Sequence, residues 1–231
     1  DSTYFLDYGE RQSASWGDIN NDGYPDLFVG NSGINALYLN NGNGTFSDIS
    51  ESSGLGYFCS ICFTVGGLWV DYDLDGFLDL YLSDNNTVSE NRLFRNMGNN
   101  TFELIEFDDQ TTGSTFAAIP IYADNNDYPD IYVTNDFNEN NELHINLDGN
   151  QLTENAYGYN LVDPFDGMGL ATSDFDNDGS VEVFIANRSE NGFYTKGNNG
   201  LYSNIAEFTG IYDTGWAWGA SFADFNHDLF D

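Results

Sequence analysis

The nine residues Asp71-Tyr-Asp73-Leu-Asp75-Gly76-Phe77-Leu-Asp79 place side-chain oxygens at positions 1, 3, 5 and 9 and a glycine at position 6. That pattern is chemistry for a hard cation. Ca²⁺ takes six to eight oxygen ligands, and a chain that offers a carboxylate at alternate residues can curl them inward where one residue permits a sharp turn. Gly76 supplies the turn, and the carbonyl of Phe77 can add a further ligand. An EF-hand begins in the same way but needs a bidentate Glu at position 12 and a helix on either side. Position 12 here is Leu82, and the flanking segments Gly67-Leu-Trp-Val70 and Leu80-Tyr-Leu82 read as strands.

Related segments recur along the chain, and their differences set an expected order of occupancy. Loop 1 offers Asp18, Asn20, Asp22 and Asp26 with the carbonyl of Tyr24, which is three carboxylates and one amide. Loop 2, the Asp71 segment, and loop 4, with Asp174, Asp176, Asp178 and Glu182 and the carbonyl of Ser180, each carry four carboxylates and are expected to bind more tightly. The longer Glu182 can reach the ion as a bidentate ligand. Loop 3, Asp124-Asn-Asn-Asp127-Tyr-Pro-Asp130, aligns with the others only by deleting two residues including the glycine, and reads as a shortened, solvated hairpin rather than a site. Loop 5 offers Asp224, Asn226, Asp228 and Asp231, lacks the glycine and is one residue short, so a fourth site there stays open. Carboxylates packed within a few ångströms repel one another and are driven toward protonation unless a cation joins them. Three filled Ca²⁺ sites are expected, with the ion as part of the fold.

Repetition identifies the elements that must hold these loops. The closing acids Asp26, Asp79, Asp130 and Glu182 are spaced 53, 51 and 52 residues apart. Each copy carries four short segments rich in β-branched and aromatic residues; in the second these are Gly67–Val70, Asp79–Leu82, Arg92–Phe94 and Thr101–Ile105, with Gly98-Asn-Asn100 as a turn. No segment shows a sustained helical period. Four antiparallel strands per repeat of about 50 residues predict an all-β fold, a β-propeller of four-stranded blades, in preference to a β-sandwich, in which one loop per regular repeat is hard to accommodate. The repeats run over about 12–64, 65–115, 116–166 and 167–215, with a partial copy at 216–231, in one domain. The chain opens within what reads as a last strand, Tyr4-Phe-Leu6, and closes within a loop, so it is expected to be part of a larger propeller.

Here the residues carry a family resemblance. Trp16-Gly-Asp18-Ile-Asn20-Asn-Asp22-Gly23-Tyr-Pro-Asp26-Leu-Phe-Val29, followed by Ala36-Leu-Tyr-Leu-Asn40-Asn-Gly42-Asn-Gly44-Thr-Phe46, resembles the FG-GAP/VCBS repeats of integrin-α-like propellers. It is most like the subgroup in bacterial secreted proteins and cartilage acidic protein. The resemblance covers essentially the whole chain. It implies that each loop joins the first two strands of a blade and binds Ca²⁺, and that the protein is extracellular or on the cell surface, with the periplasm also open, and serves in adhesion, ligand binding or beside an enzyme.

Composition bounds the partners. The chain has 231 residues, a formal charge of −33 from five Lys and Arg against 38 Asp and Glu, and 16% aromatic residues. The aromatic content argues for a folded chain, and the scarcity of basic residues argues against nucleic acid and anionic membrane surfaces. No apolar run approaches the length of a membrane helix, and the N-terminus does not read as a signal peptide. Cys59 and Cys62 are expected as a local disulfide, with buried thiols as the alternative. His144 reads as a packed histidine, Trp16, Trp69, Trp216 and Trp218 as packing residues with sugar stacking open for the last two, and Arg92 and Arg95 as ion-pair partners. The sequons at Asn43, Asn85, Asn99 and Asn187 are expected by chance in so Asn-rich a chain, and no Ser-His-Asp arrangement or phosphate-cradling glycine loop is present. The function expected is a calcium-binding scaffold for protein or carbohydrate ligands at the cell surface or in the extracellular matrix. A carbohydrate-active enzyme of lyase type is the alternative, weakened by the few cations available to neutralise a uronate. A structural module of a surface fibre is the third reading.

Overall fold

The computed structural model describes residues 10–56, 62–85, 90–107, 114–124, 126–137 and 139–224. Tyr4–Leu6, Cys59, Asn226, Asp228 and Asp231 lie outside the described residues. The chain divides into two compact units, Asp1–Thr115 and Phe116–Asp231.

The described residues form four four-stranded antiparallel sheets, the blades of a propeller-like fold. The first holds β1 (Arg11–Gly17), β2 (Asp26–Asn31), β3 (Ala36–Asn40) and β4 (Phe46–Asp48), and the second β5 (Thr64–Val70), β6 (Asp79–Asp84), β7 (Arg92–Asn96) and β8 (Phe102–Ile105). The third holds β9 (Thr115–Ile121), β10 (Asp130–Asn135), β11 (Glu142–Asn146) and β12 (Leu152–Glu154), and the fourth β13 (Gly167–Ser173), β14 (Glu182–Asn187), β15 (Gly192–Lys196) and β16 (Tyr202–Asn204). In each sheet sequential strands are neighbours. One sheet therefore corresponds to one sequence repeat.

Burial follows position in the sheet. The second strands β6 and β10 are covered on both faces, every residue being buried, and their apolar residues, Leu80–Leu82 and Ile131–Val133, run together at or near the middle. The last strands are mostly open, as in β4. In the first unit β5 packs on β1 and β2, and Phe28 meets the edge of Trp69 at 6.4 Å and 86° within a core of Ile19, Leu37, Leu80, Leu82 and Phe94. In the second unit β10 packs on β13, and Tyr132, Leu143, Val183, Ile185 and Tyr194 form the core.

Among the described residues, three single-turn helices follow the last strands of the first, third and fourth sheets: α1 (Ser50–Ser53), α2 (Ala156–Tyr159) and α3 (Ala206–Thr209). Each ends on a left-handed residue, Gly54, Asn160 or Gly210. One turn is too short to display a 3.6-residue period, so only these C-terminal residues mark the helices in the sequence.

Not all the tryptophans pack as expected. Trp69 is enclosed between Phe28 and Phe102, whereas Trp16, Trp216 and Trp218 are 59%, 59% and 61% exposed. His144 is buried, with its Nε2 3.1 Å from Glu142 Oε2. Cys62 is disulfide-bonded. No described helix is long and apolar enough to cross a membrane.

Candidate metal centres

All four sheets connect their first and second strands by loops of the same length, covering residues 18–25, 71–78, 122–129 and 174–181. The register fixes the closing acid opposite the last residue of the first strand: Gly17 pairs with Asp26, Val70 with Asp79 and Ser173 with Glu182. That acid is fully buried in every blade. Its carboxylate accepts the backbone N–H of the residue seven places earlier, from Ile19 at 3.0 Å, Tyr72 at 3.1 Å, Ala123 at 2.7 Å and Phe175 at 3.2 Å. In the first three blades the second oxygen accepts the N–H of the asparagine that ends the third strand, Asn40, Asn96 or Asn146. The fourth blade has Lys196 at that place, and the Thr195 hydroxyl donates to Glu182 Oε1 instead, at 3.2 Å. Each closing acid is thus a latch across the hairpin, in addition to any bond to a cation.

This register corrects the alignment expected for loop 3. No residues are deleted; the loop spans Tyr122 to Asp130, with Tyr122 at position 1, Asp124 at 3, Asn126 at 5 and Asp127 at the glycine's place. The internal hydrogen bonds prove it. The N–H at position 5 bonds the side chain at 3 and the N–H at 7 bonds the side chain at 5, as Asn126 to Asp124 and Tyr128 to Asn126, matching Asp75 to Asp73 and Phe77 to Asp75. Reading Asp124 as position 1 failed because identical letters were matched where the backbone matches only position. The loop's deficiency for a cation is the missing first carboxylate. Asn126 Nδ2 donates to Asp124 Oδ2 at 2.8 Å, a neutral donor serving the acid.

Loops 1, 2 and 4 share a backbone path. Position 4 is left-handed, with φ of 58° at Asn21, 59° at Leu74 and 57° at Asn177, and position 6 is a glycine at 86°, 92° and 88°. The turn assigned to Gly76 from the sequence is therefore real, and Gly23 and Gly179 repeat it. The N–H groups of these loops point inward. Asp18 accepts from Asp22 and Gly23, Asp71 from Asp75 and Gly76, and Asp174 Oδ2 from Gly179. At position 7 the Tyr24 and Phe77 rings lie over Gly42 and Gly98 of the turns before the last strands.

Two loops gather acids closely enough for one ion. Asp71, Asp73 and Asp79 each offer an oxygen within 4.8 Å of the others, as do Asp174, Asp176 and Glu182. Asp75 and Asp178 stay outside these groups and are exposed, their Oδ1 atoms accepting the N–H of Phe77 and Ser180. In loop 1, Asn20 donates to Asp22 at 2.9 Å, and Asp18, Asp22 and Asp26 form no such group. Asp224 is described and partly buried, and the remaining loop 5 candidates are outside the described residues.

The electrostatics favour a cation. Burial, reinforced by Asp73 and Asp75, pushes the Asp79 carboxyl up to about 7 against the hydrogen bonds from Asn96 and Tyr72. Burial also raises Asp26, Asp73, Asp130 and Glu182. Asp174 Oδ1 is buried without a hydrogen-bond partner. An orphaned carboxylate oxygen beside two further acids is what a cation satisfies, so the residues of loop 4 fit the group.

Residues outside the loops complete the blades, and single-loop reasoning missed them. Asn35, Asn91, Asn141 and Asn191 each precede the third strand, and each amide oxygen accepts the N–H of the residue ending the second strand, Asn31, Asp84, Asn135 or Asn187. Their recurrence at one place per repeat was the available signal.

The family described as FG-GAP-like repeat matches residues 18–67 and 174–231. No curated protein matches. Among solved structures, a lectin from Agrocybe aegerita, described as specifically recognising non-reducing terminal N-acetylglucosamine, superposes with a TM-score of 0.55 at 12% identity over 88% of this chain and 56% of that one. The Photorhabdus luminescens Tc holotoxin pore superposes at 0.38, with 12% identity, over 83% of this chain and 9% of that one. The chain spans about half the length of the lectin structure.

Proposed function

We infer the function of a chain that carries FG-GAP-like repeats on a propeller-like fold of four blades: a calcium-stabilised scaffold, outside the cell or on its surface, that binds carbohydrate or protein ligands. The observation that carries the metal is the orphaned Oδ1 of Asp174 among the gathered acids of loop 4. Asp174, Asp176 and Glu182 would hold the ion there, and Asp71, Asp73 and Asp79 in loop 2. Loop 1, through Asp18, Asn20, Asp22 and Asp26, is the third site, with fewer charges. Calcium suits an all-oxygen donor set on a flexible loop better than magnesium, which requires a compact octahedron and retains its waters.

Ligand binding is supported by the fold shared with the lectin and by the absence of a recognisable catalytic constellation in the sequence. The charge of −33 directs the scaffold toward neutral or basic ligands, because acidic polysaccharides would be repelled. A disulfide-bonded Cys62 agrees with an oxidising compartment. The test is an array of glycans and extracellular-matrix proteins probed in calcium and in EDTA. Retention of a neutral glycan or a protein without turnover is expected. Conversion of a bound polysaccharide to product would instead make the chain part of an enzyme.

A further inference from the structure

Loops 2 and 4 have the same number of carboxylates, and the sequence ranks them together. Their surroundings differ. The Arg95 guanidinium, from β7, reaches into loop 2, with Nε 2.9 Å from Asp73 Oδ2 and Nη2 donating to the Tyr72 hydroxyl at 2.6 Å. Its charge also lies over the Tyr72 ring, 5.4 Å from the centroid. Asp73 is one of the three acids gathered in loop 2, so a cation belonging to the chain is already paired with one of the carboxylates that would hold an ion. Both oxygens of Asp71 are engaged by the N–H groups of Asp75 and Gly76. Loop 4 has neither feature. The residue equivalent to Arg95 is Thr195, and Asp174 Oδ1 is left without a partner. In the other blades that place holds Leu39 and Ile145, and the described ion pairs join no acid of loops 1, 3 or 4 to a basic side chain.

We propose that Arg95 is the resident counter-charge of loop 2, so that this loop stays folded without metal and binds calcium more weakly than loop 4, which depends on the ion. The physical reason is additive. Calcium affinity rises with the net negative charge of its ligands, and a guanidinium fixed on one of them cancels a unit of that charge. The same ion pair lowers the repulsion that would otherwise open the empty loop. Loop 3, where an asparagine amide donates to Asp124, is the neutral version of this arrangement. The inference rests on the calcium reading of the loops.

The test is calorimetric titration of the whole chain with Ca²⁺, alone and with Arg95→Leu, the residue that the first blade carries. Removing the charge is expected to tighten one site about tenfold, a change of about 1.4 kcal/mol, and to make the variant melt lower than the parent in EDTA. Adding Asp71→Asn to Arg95→Leu should abolish the gain, which assigns it to loop 2. If the leucine variant fails to fold, Arg95→Gln keeps a donor for Tyr72 without the charge and should show the same tightening. Weaker or unchanged binding in a folded variant would overturn the inference, because Arg95 would then be orienting Asp73 for the ion. Calcium binding by neither parent nor variant would instead remove the metal reading itself.

Discussion

Leu74 occupies position 4 of loop 2 with φ of 59°, a left-handed conformation that costs a leucine roughly 1 kcal/mol. It is half exposed, and loops 1 and 4 carry asparagine there. Leu74→Asn should therefore stabilise the chain by about 0.5–1 kcal/mol in urea unfolding, since asparagine tolerates the conformation and little packing is lost. The closing acids predict the opposite. Asp130 is buried and accepts N–H bonds from Ala123, Asp124 and Asn146 in a loop that lacks the first ligand. Asp130→Asn should cost about 2–3 kcal/mol, and by the same amount in EDTA and in calcium. A penalty appearing only with calcium would mean that loop 3 binds metal.

Asp163 shows how pH should act away from the loops. Burial raises its carboxyl, against hydrogen bonds from Phe165, Tyr194 and Asn187. A raised pKa means that the folded state holds the proton more tightly than the unfolded chain. The stability this contributes is complete below the ordinary carboxylate range and is lost as pH rises through the raised value. Melting in EDTA should therefore show the parent losing stability relative to Asp163→Asn as pH increases. A difference that is constant with pH would contradict it.

At the scale of elements, the hairpin joining the first two strands is the unit that recurs, and its fixed length survives even where its ligands have changed. The turn before the last strand is tied to it. Gly98 has φ of 69°, and a Cβ there would lie 3.0 Å from the Phe77 ring. Gly98→Ala should cost about 1–2 kcal/mol, from the left-handed backbone together with the displaced ring. Gly76→Ala should cost less in metal-free protein, because its Cβ would meet nothing within 4 Å. Equal penalties in urea unfolding would remove the role assigned to the Phe77 ring.

For the whole molecule, the dominant quantity is a charge of −33 confined to a fold whose closing acids are buried at the loop ends. Calcium at 100 times its dissociation constant would add about 2.7 kcal/mol per site. For a chain of this size each lost site should lower the melting temperature by about 5–10 °C. Chelation should show that fall, and added calcium should reverse it. No change on chelation would sink the metal assignment.

The sequence by itself determined the repeat, the four strands of each blade, the position of every closing acid and the turn at Gly76. These are properties of spacing and of single residue types, which a chain carries locally. Only the tertiary structure decided the alignment of loop 3, because backbone register, rather than letter identity, shows which residue stands at each position. It also decided the unequal standing of loops 2 and 4. Their carboxylate counts match, but Arg95 approaches Asp73 from another strand, and Asp174 keeps an oxygen without a partner. The charge that a cation meets is set by which side chains the fold brings together.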